Sequence, residues 1–568
     1  MAKNSRGYTQ KLNVIIAAEI LGVFLMMIGA APRELAFFIL GGLVFFVIFE
    51  PLKQATLLAL FSIPLYTALP IPSFDSFAVW RVIISVLFLR VVFGDPRNFF
   101  ILPVLRLRKI ILATFTCLRA YTHRQTQKRK LGQPRLRLKQ FIFAIPFGNF
   151  YLNLRNASFK NPAGRLGVLV SLFFILGFLS LFVAPEPIFG IRKLIYLLNI
   201  FALFFVIQKV VKTKQDFIDA LKYIFASAVF VMGVAYAQFL AILFVPLFAF
   251  WQWWAHVVIP VFYGANLSDL LSYSNTWFAY YEEADATLRT FSIFPDSHSF
   301  ALFTMLSLPI ALTFFVLSKK KLFKTLFVSS IILILLAIIL SGTRGVWIGA
   351  LPVFLVLVVF WGSQYIRANI LRPTPLVKQV INISLLIFIL FALLFPVSSQ
   401  LLRFSQMRQG GQVSDSAFER IYTSFSRREL SNKGRIEIWR STLGSIAEHP
   451  FLGVGIGNYP VVLNENISST KEGASAHSLY LDVISEMGIL AGIVLMLIFF
   501  EILWKSVKNL LKSRETVIQI FSGFFAVYLV WLMTYSAVDI VLLNDKVLLL
   551  FTALVALLYA GFNKYSRV

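Results

Sequence analysis

The sequence predicts an all-α, polytopic integral membrane protein with about fourteen transmembrane helices and a large extracytoplasmic helical loop, and three observations predict it. Of 568 residues, 58% are hydrophobic and 16% aromatic, while only 14% are charged. A water-soluble domain of this length cannot hide that much apolar surface. Apolar runs of about 17 to 25 residues recur along the chain, the length needed to cross roughly 30 Å of hydrocarbon. The Lys and Arg residues behind the formal net charge of +27 fall in alternate loops between these runs, the pattern of a basic cytoplasmic side.

The spans read as 12–31, 34–50, 52–69, 77–93, 166–184, 190–207, 223–245, 293–317, 325–341, 345–363, 379–396, 478–503, 516–535 and 545–562. The first follows Lys3, Arg6 and Lys11 and resembles a secretion signal in outline, with GAAPRE as a cleavage-like region. Its length and the spans after it favour an uncleaved helix. Odd-numbered crossings leave from basic turns at Lys53, Lys209 to Lys222, Lys319 to Lys324, Arg367 to Lys378 and Lys505 to Arg514. The opposite loops read APRE, PIPSFDS, APEPIFG and SAVDIVLLND and are nearly free of Lys and Arg. Both termini are therefore expected on the cytoplasmic side of the membrane. Basic residues placed this way argue against a nucleic-acid partner. The single cysteine, Cys117, excludes an intrachain disulfide. Glu19, inside the first span, is expected either to pair with Arg81 or to line a polar cavity.

Three segments are too polar to span. Residues 94–165 hold eleven Lys and Arg between Arg106 and Lys139, with no carboxylate after Asp95. This cytoplasmic insertion suits either interfacial helices on anionic membrane lipids or a solvated topology determinant. Residues 246–292 open with Trp251, Trp253, Trp254 and His256, a set suited to the headgroup level. Residues 397–477 form the largest extracytoplasmic loop. Within it Ile436, Trp439, Leu443, Ile446 and Ala447 recur at helical spacing, which predicts an amphipathic helix over Arg435 to His449. The chain thus divides into N-terminal spans (1–93), the basic insertion (94–165), spans with the aromatic segment (166–288), a region carrying the polar blocks (289–503) and C-terminal spans (504–568).

The polar signals converge on one face. SGTRG (341–345) sets Arg344 between two spans with no room for a soluble loop. An ionised side chain there costs a few kcal/mol unless it meets water or a partner, so it is a functional candidate by default; the alternative is an interfacial anchor. GRIEIWR (434–440), HPFLGVGIGNYP (449–460) and AHSLYLDVISEMG (476–488) follow. With SGTRG, in this order, they resemble the O-antigen ligase family and its relatives, the O-antigen polymerases and protein O-oligosaccharyl transferases. RTFSIFPDSHSFALF (289–303) resembles a further block of that family, and the likeness covers roughly residues 289 to 500. It departs from the family pattern in Asp296, Ser297 and His298, where an asparagine-rich turn is common, and in the insertion 94–165.

The resemblance implies a glycosyltransferase C-type membrane enzyme. Its donor would be an undecaprenyl-diphosphate-linked glycan and its acceptor a hydroxyl on lipid, glycan or protein, with no cofactor. It carries functional residues onto Arg344, Arg435 and His477, and more weakly onto Arg289. The residue chemistry agrees. A lipid-diphosphate leaving group needs its charge neutralised, and the planar fork of Arg suits phosphate oxygens, which fits Arg344 and Arg435. An imidazole with an ordinary pKa near 6.5 can take a hydroxyl proton at neutral pH, which fits His477; the alternative is a helix-start residue bonded to loop backbone. Arg289, Arg440, Asp482 and Glu486 are the substrate-binding candidates. The last two are four residues apart, hence on one helical face below His477, where they would orient it or the arginines; the alternative is solvated helix-end charges.

Gly453, Gly455 and Gly457 in GVGIG read as a tight turn rather than a phosphate loop, since no βαβ pattern surrounds them. No HExxH or paired CxxC motif is present, so no metal ligand is assigned, although Glu282, Glu283 and Asp285 could hold an ion weakly. Two rivals share these features: a polymerase that extends lipid-linked repeat units, and a non-enzymatic lipid-glycan transporter. The second would spread its polar residues along a midplane path instead of gathering them at one face.

Overall fold

The computed structural model describes residues 2–72, 75, 77–94, 162–272, 276–279, 285–366, 374–410, 412, 430–463 and 475–560. The expected lipid contact of the basic insertion, and Glu282 and Glu283, lie outside these residues. A helix occupies each of the fourteen predicted spans. In chain order the helices are α1 (Ala2–Met27), α2 (Leu35–Phe49), α3 (Leu52–Ser62), α4 (Val79–Phe93), α5 (Pro162–Ser180), α6 (Pro187–Val210) and α7 (Lys214–Ala241). Three that no predicted span covers follow: α8 (Leu247–Trp253), α9 (Ile259–Tyr263) and α10 (Ala265–Ser272). Then come α11 (Ser297–Leu317), α12 (Lys321–Leu340), α13 (Arg344–Ile366), α14 (Pro375–Leu393), α15 (Phe395–Arg408), α16 (Leu430–Glu448), α17 (Leu479–Met487), α18 (Ile489–Lys512), α19 (Thr516–Tyr535) and α20 (Asp545–Leu558). The described strands are two short antiparallel pairs, Ala68–Leu69 with Phe77–Ala78 and Phe278–Ala279 with Thr287–Leu288.

Among the described residues nine helical stretches are long and apolar enough to cross a bilayer. Of the other predicted spans, α2, α3 and the described part of α5 are shorter apolar helices, and α4 and α20 have 15 and 14 residues.

Three departures from the expected boundaries have local causes or consequences. The span predicted at 478–503 is broken at Gly488, whose φ of +85° is open to glycine and where a Cβ would lie 2.0 Å from the Phe451 carbonyl oxygen. The loop predicted to begin at 397 begins as helix. α14 runs into α15 as one 34-residue rod, with Pro396 in the first turn, where a missing N–H costs nothing. The segment 246–292 holds an apolar helical stretch, Leu247–Tyr263. Its middle widens into a π-turn over Trp254–Val258, just before Pro260, which has no N–H to give the regular ladder. Trp254 of the aromatic cluster is buried there while Trp253 is exposed. Glu19 does not pair with Arg81; it accepts a 2.6 Å hydrogen bond from Ser62, and the Arg81 guanidinium lies over the Phe77 and Trp80 rings.

α11 is the centre of the molecule. Phe300 to Phe314 are buried on every side, as a helix apolar all round must be, and α7, α12, α19 and α20 pack around it. This places the first turn of α11 beside the last turns of α12 and α19. At the opposite end, read as cytoplasmic, Lys53 bridges Asp216 and Asp219 at 2.7 and 2.9 Å, and Arg165 meets Glu501 at 3.0 Å. Because those basic turns share one side, single cysteines at Lys320 and Arg440, in a Cys117→Ser background, are expected to react oppositely with an impermeant thiol reagent on intact cells. Arg440→Cys should label before lysis and Lys320→Cys only after it; the reverse order would invert the topology.

Candidate active site

Two of the predicted catalytic residues meet at the α11 end of the bundle, with partners to which the sequence analysis gave no catalytic role. His477 precedes α17 with a φ of +45°, a left-handed conformation uncommon for a residue with a Cβ. Three neighbours hold it there. The Trp439 indole of α16 donates to the Ala476 carbonyl at 2.9 Å, the Ala476 N–H donates to Asp482 at 3.3 Å, and the Leu479 N–H donates to the Ser536 carbonyl at 2.9 Å. A strained residue fixed from three sides is common at working sites. Burial holds the His477 imidazole below its ordinary pKa; the Asp539 carboxylate opposes this, and the Arg435 and His298 charges reinforce it.

Asp539 is the hub. It lies in the turn between α19 and α20, and its side chain is only 7% exposed. His298 Nδ1 lies 2.5 Å from its Oδ2, the Tyr535 hydroxyl donates to the same oxygen at 3.1 Å, and the Ile540 N–H donates to Oδ1 at 2.8 Å. Burial pushes the carboxyl up, but the positive charges of His298, Arg435 and His477 and the His298 hydrogen bond outweigh it and hold its pKa down to about 2. These neighbours favour its anionic form. Arg435, half-buried in α16, is thus within electrostatic range of both Asp539 and His477.

Arg344 opens α13, half-buried. Its position depends on close approach of α13 to α19, where Cβ atoms at Gly345 and Gly349 would meet Tyr535 Cε2 at 2.8 Å and the Tyr535 nitrogen at 3.2 Å. This is a small-xxx-small seam, fastened by the Trp531 indole donating to the Val346 carbonyl at 2.8 Å. On its other side the SGTRG turn is tied to α11, since the Thr343 hydroxyl donates to the Ser297 carbonyl at 3.2 Å.

The substrate-binding candidates part company. Arg289 is buried, with Nε and NH2 donating to the Ser341 and Gly342 carbonyls at 3.0 and 3.1 Å. It caps the negative end of α12 and braces the SGTRG turn. Asp482 and Glu486 are almost inaccessible and face Lys193 of α6, which lies 3.6 and 2.6 Å from them. Asp482 still serves the site through Ala476, and neither has a described bond to Arg344 or Arg435. Arg440 is exposed on the far side of α16. The glycines of GVGIG form a turn: Gly453, Gly455 and Gly457 all have positive φ, and the Val454 and Gly455 N–H groups donate to the Ser485 and Glu486 carbonyls at the end of α17. Those donors are not available to a phosphate. Among the described residues no group of three His, Cys, Asp or Glu is placed to hold a metal ion.

Residues 329–496, which include Arg344, Arg435 and His477, match a family model described as O-Antigen ligase. This region is O-antigen ligase-like. An uncharacterized protein of Haemophilus influenzae is 29% identical over 212 residues, covering 36% of this chain and 48% of its own length. A general O-oligosaccharyltransferase of Acinetobacter baylyi is 26% identical over 190 residues, covering 33% of this chain and 30% of its own. The chain therefore spans half or less of each of these curated relatives. The O-antigen ligase-like segment ends before Asp539 and begins after His298.

Proposed function

We propose that this protein transfers a glycan from an undecaprenyl-diphosphate carrier to an acceptor hydroxyl on the extracytoplasmic face of the membrane. The observation that carries the reading is the gathering of Arg435, His477, His298 and Asp539, delivered by four separate segments, at one end of an O-antigen ligase-like bundle. The acceptor oxygen attacks the anomeric carbon, and the bond from that carbon to the diphosphate oxygen breaks with its electron pair leaving on the diphosphate. Arg344 and Arg435 neutralise that leaving charge with forked donors. The hydroxyl proton passes to a histidine beside Asp539, and His477 is the residue that the AHS block supplies for it. The donor is already activated by its diphosphate, so no nucleotide is needed.

Purified protein in detergent, given the lipid-linked glycan extracted from cells lacking the gene together with an acceptor fraction from the same cells, is expected to consume donor and release undecaprenyl diphosphate. Turnover should persist in excess EDTA. A transporter would leave the glycan–diphosphate bond intact, and a strict need for magnesium or manganese would turn attention to Glu282, Glu283 and Asp285.

A further inference from the structure

Two histidines flank Asp539, and they are not equivalent. His477 is held through backbone bonds on either side of it, and among the described residues no hydrogen bond reaches its ring. His298 has its ring fixed, with Nδ1 2.5 Å from an Asp539 carboxylate that also takes the Tyr535 hydroxyl and the Ile540 N–H. An ionised carboxylate only accepts, so the neutral form of His298 carries its hydrogen on Nδ1 and presents the lone pair of Nε2. That nitrogen has no partner among the described residues, and the side chain keeps 17% of its surface open. A base held in one tautomer by a buried carboxylate is the arrangement that hydroxyl activation requires.

We propose that His298, oriented by Asp539, is the group that takes the proton from the acceptor hydroxyl, a role that rests on the transfer reading above and moves it from His477 to His298. As the acceptor oxygen bonds to the anomeric carbon, its proton passes to His298 Nε2. The electron pair of the breaking bond leaves on the diphosphate, and Asp539 stays an anion that balances the new imidazolium. The Tyr535 hydroxyl stops the carboxylate from turning away. His477, on its constrained turn, lies within electrostatic range of the same carboxylate. The titratable and charged groups around His298 are Asp539 and Tyr535 from the α19 end, His477 from the turn before α17, Arg435 from α16, and Asp296 at the start of its own helix, already bonded to the Ser299 N–H and hydroxyl.

The test is kcat/KM against pH for donor consumption by full-length protein in detergent, with the extracted lipid-linked glycan as donor and the acceptor fraction described above. The acid limb of that profile reports the essential base of the free enzyme. His298→Ala is expected to lower the rate by about 100- to 10,000-fold and to erase the limb. Asp539→Asn, which keeps the shape but removes the charge that favours the imidazolium, should lower the plateau and move the limb to lower pH. His477→Ala should leave the limb where it is, whatever it does to the plateau. The proposal is overturned if His298→Ala keeps the wild-type limb, if Asp539→Asn lowers the plateau without moving it, or if His477→Ala abolishes it. Failure of wild-type protein to cleave the donor would instead remove the transfer reading itself.

Discussion

Arg435→Ala and Arg344→Ala are each expected to slow glycan transfer by about 100- to 1000-fold, the usual loss when one directed, charge-assisted contact is removed from a partly water-excluded site. The two guanidiniums come from different parts of the fold. Arg344 is set by the Gly345 and Gly349 seam against Tyr535, and Arg435 by the helix whose Trp439 also grips the histidine turn. Lysine should replace either one poorly, because it keeps the charge and loses the fork that spans two phosphate oxygens. Arg435 also helps to hold Asp539 ionised, so the measurement needs two parts. Donor turnover is followed in the purified variants, and thermal unfolding is followed beside it. Loss of turnover with an unchanged melting temperature assigns the charge to the diphosphate. If the Arg435→Ala melting temperature falls in step with turnover, the arginine serves Asp539 instead, and if turnover survives in both variants the diphosphate assignment is wrong.

The sequence made the helices legible because the bilayer makes a simple demand: every backbone polar group must be satisfied within its own segment, so apolar length alone marks the spans. It also made SGTRG, GR and AHS legible, because a charged or titratable group at the edge of an apolar run is conspicuous. What it hid were partnerships across distance. His298 and Asp539 are 241 residues apart. One looks like part of an ordinary helix start behind the cap Asp296, and the other like a stray acid in a turn otherwise bare of Lys and Arg. The signal was present in the second case, since SAVDIVLLND places two acids in a span-to-span turn. Arg289 shows another partnership across distance. An arginine before a span invites a ligand, but the carbonyls at the end of α12 lie closer and claim it. Gly488 looked like one more small residue inside a long apolar run until Phe451 was packed against it.

The same hidden pairing governs the largest expected effect on stability, Lys193→Met. One ammonium on α6 faces two carboxylates on α17, 2.6 Å from Glu486 and 3.6 Å from Asp482, and the carboxylate side chains are only 3% and 2% exposed. Removing the cation leaves both acids buried without compensation, which commonly costs about 3 to 5 kcal/mol. The Lys193 side chain is itself 26% exposed, so water offers the acids some relief and the lower end of that range is expected. The damage should reach the active site, because the Asp482 oxygen that accepts the Ala476 N–H sets the turn carrying His477. Lys193→Met should therefore lower both the melting temperature and glycan transfer. Adding Glu486→Gln, which removes the charge left stranded at the shorter contact, should restore most of the melting temperature. A single Lys193→Met variant that melts like wild type would mean that the two carboxylates are hydrated or protonated without it, and that the His477 turn draws its rigidity from Trp439 and the Ser536 carbonyl alone.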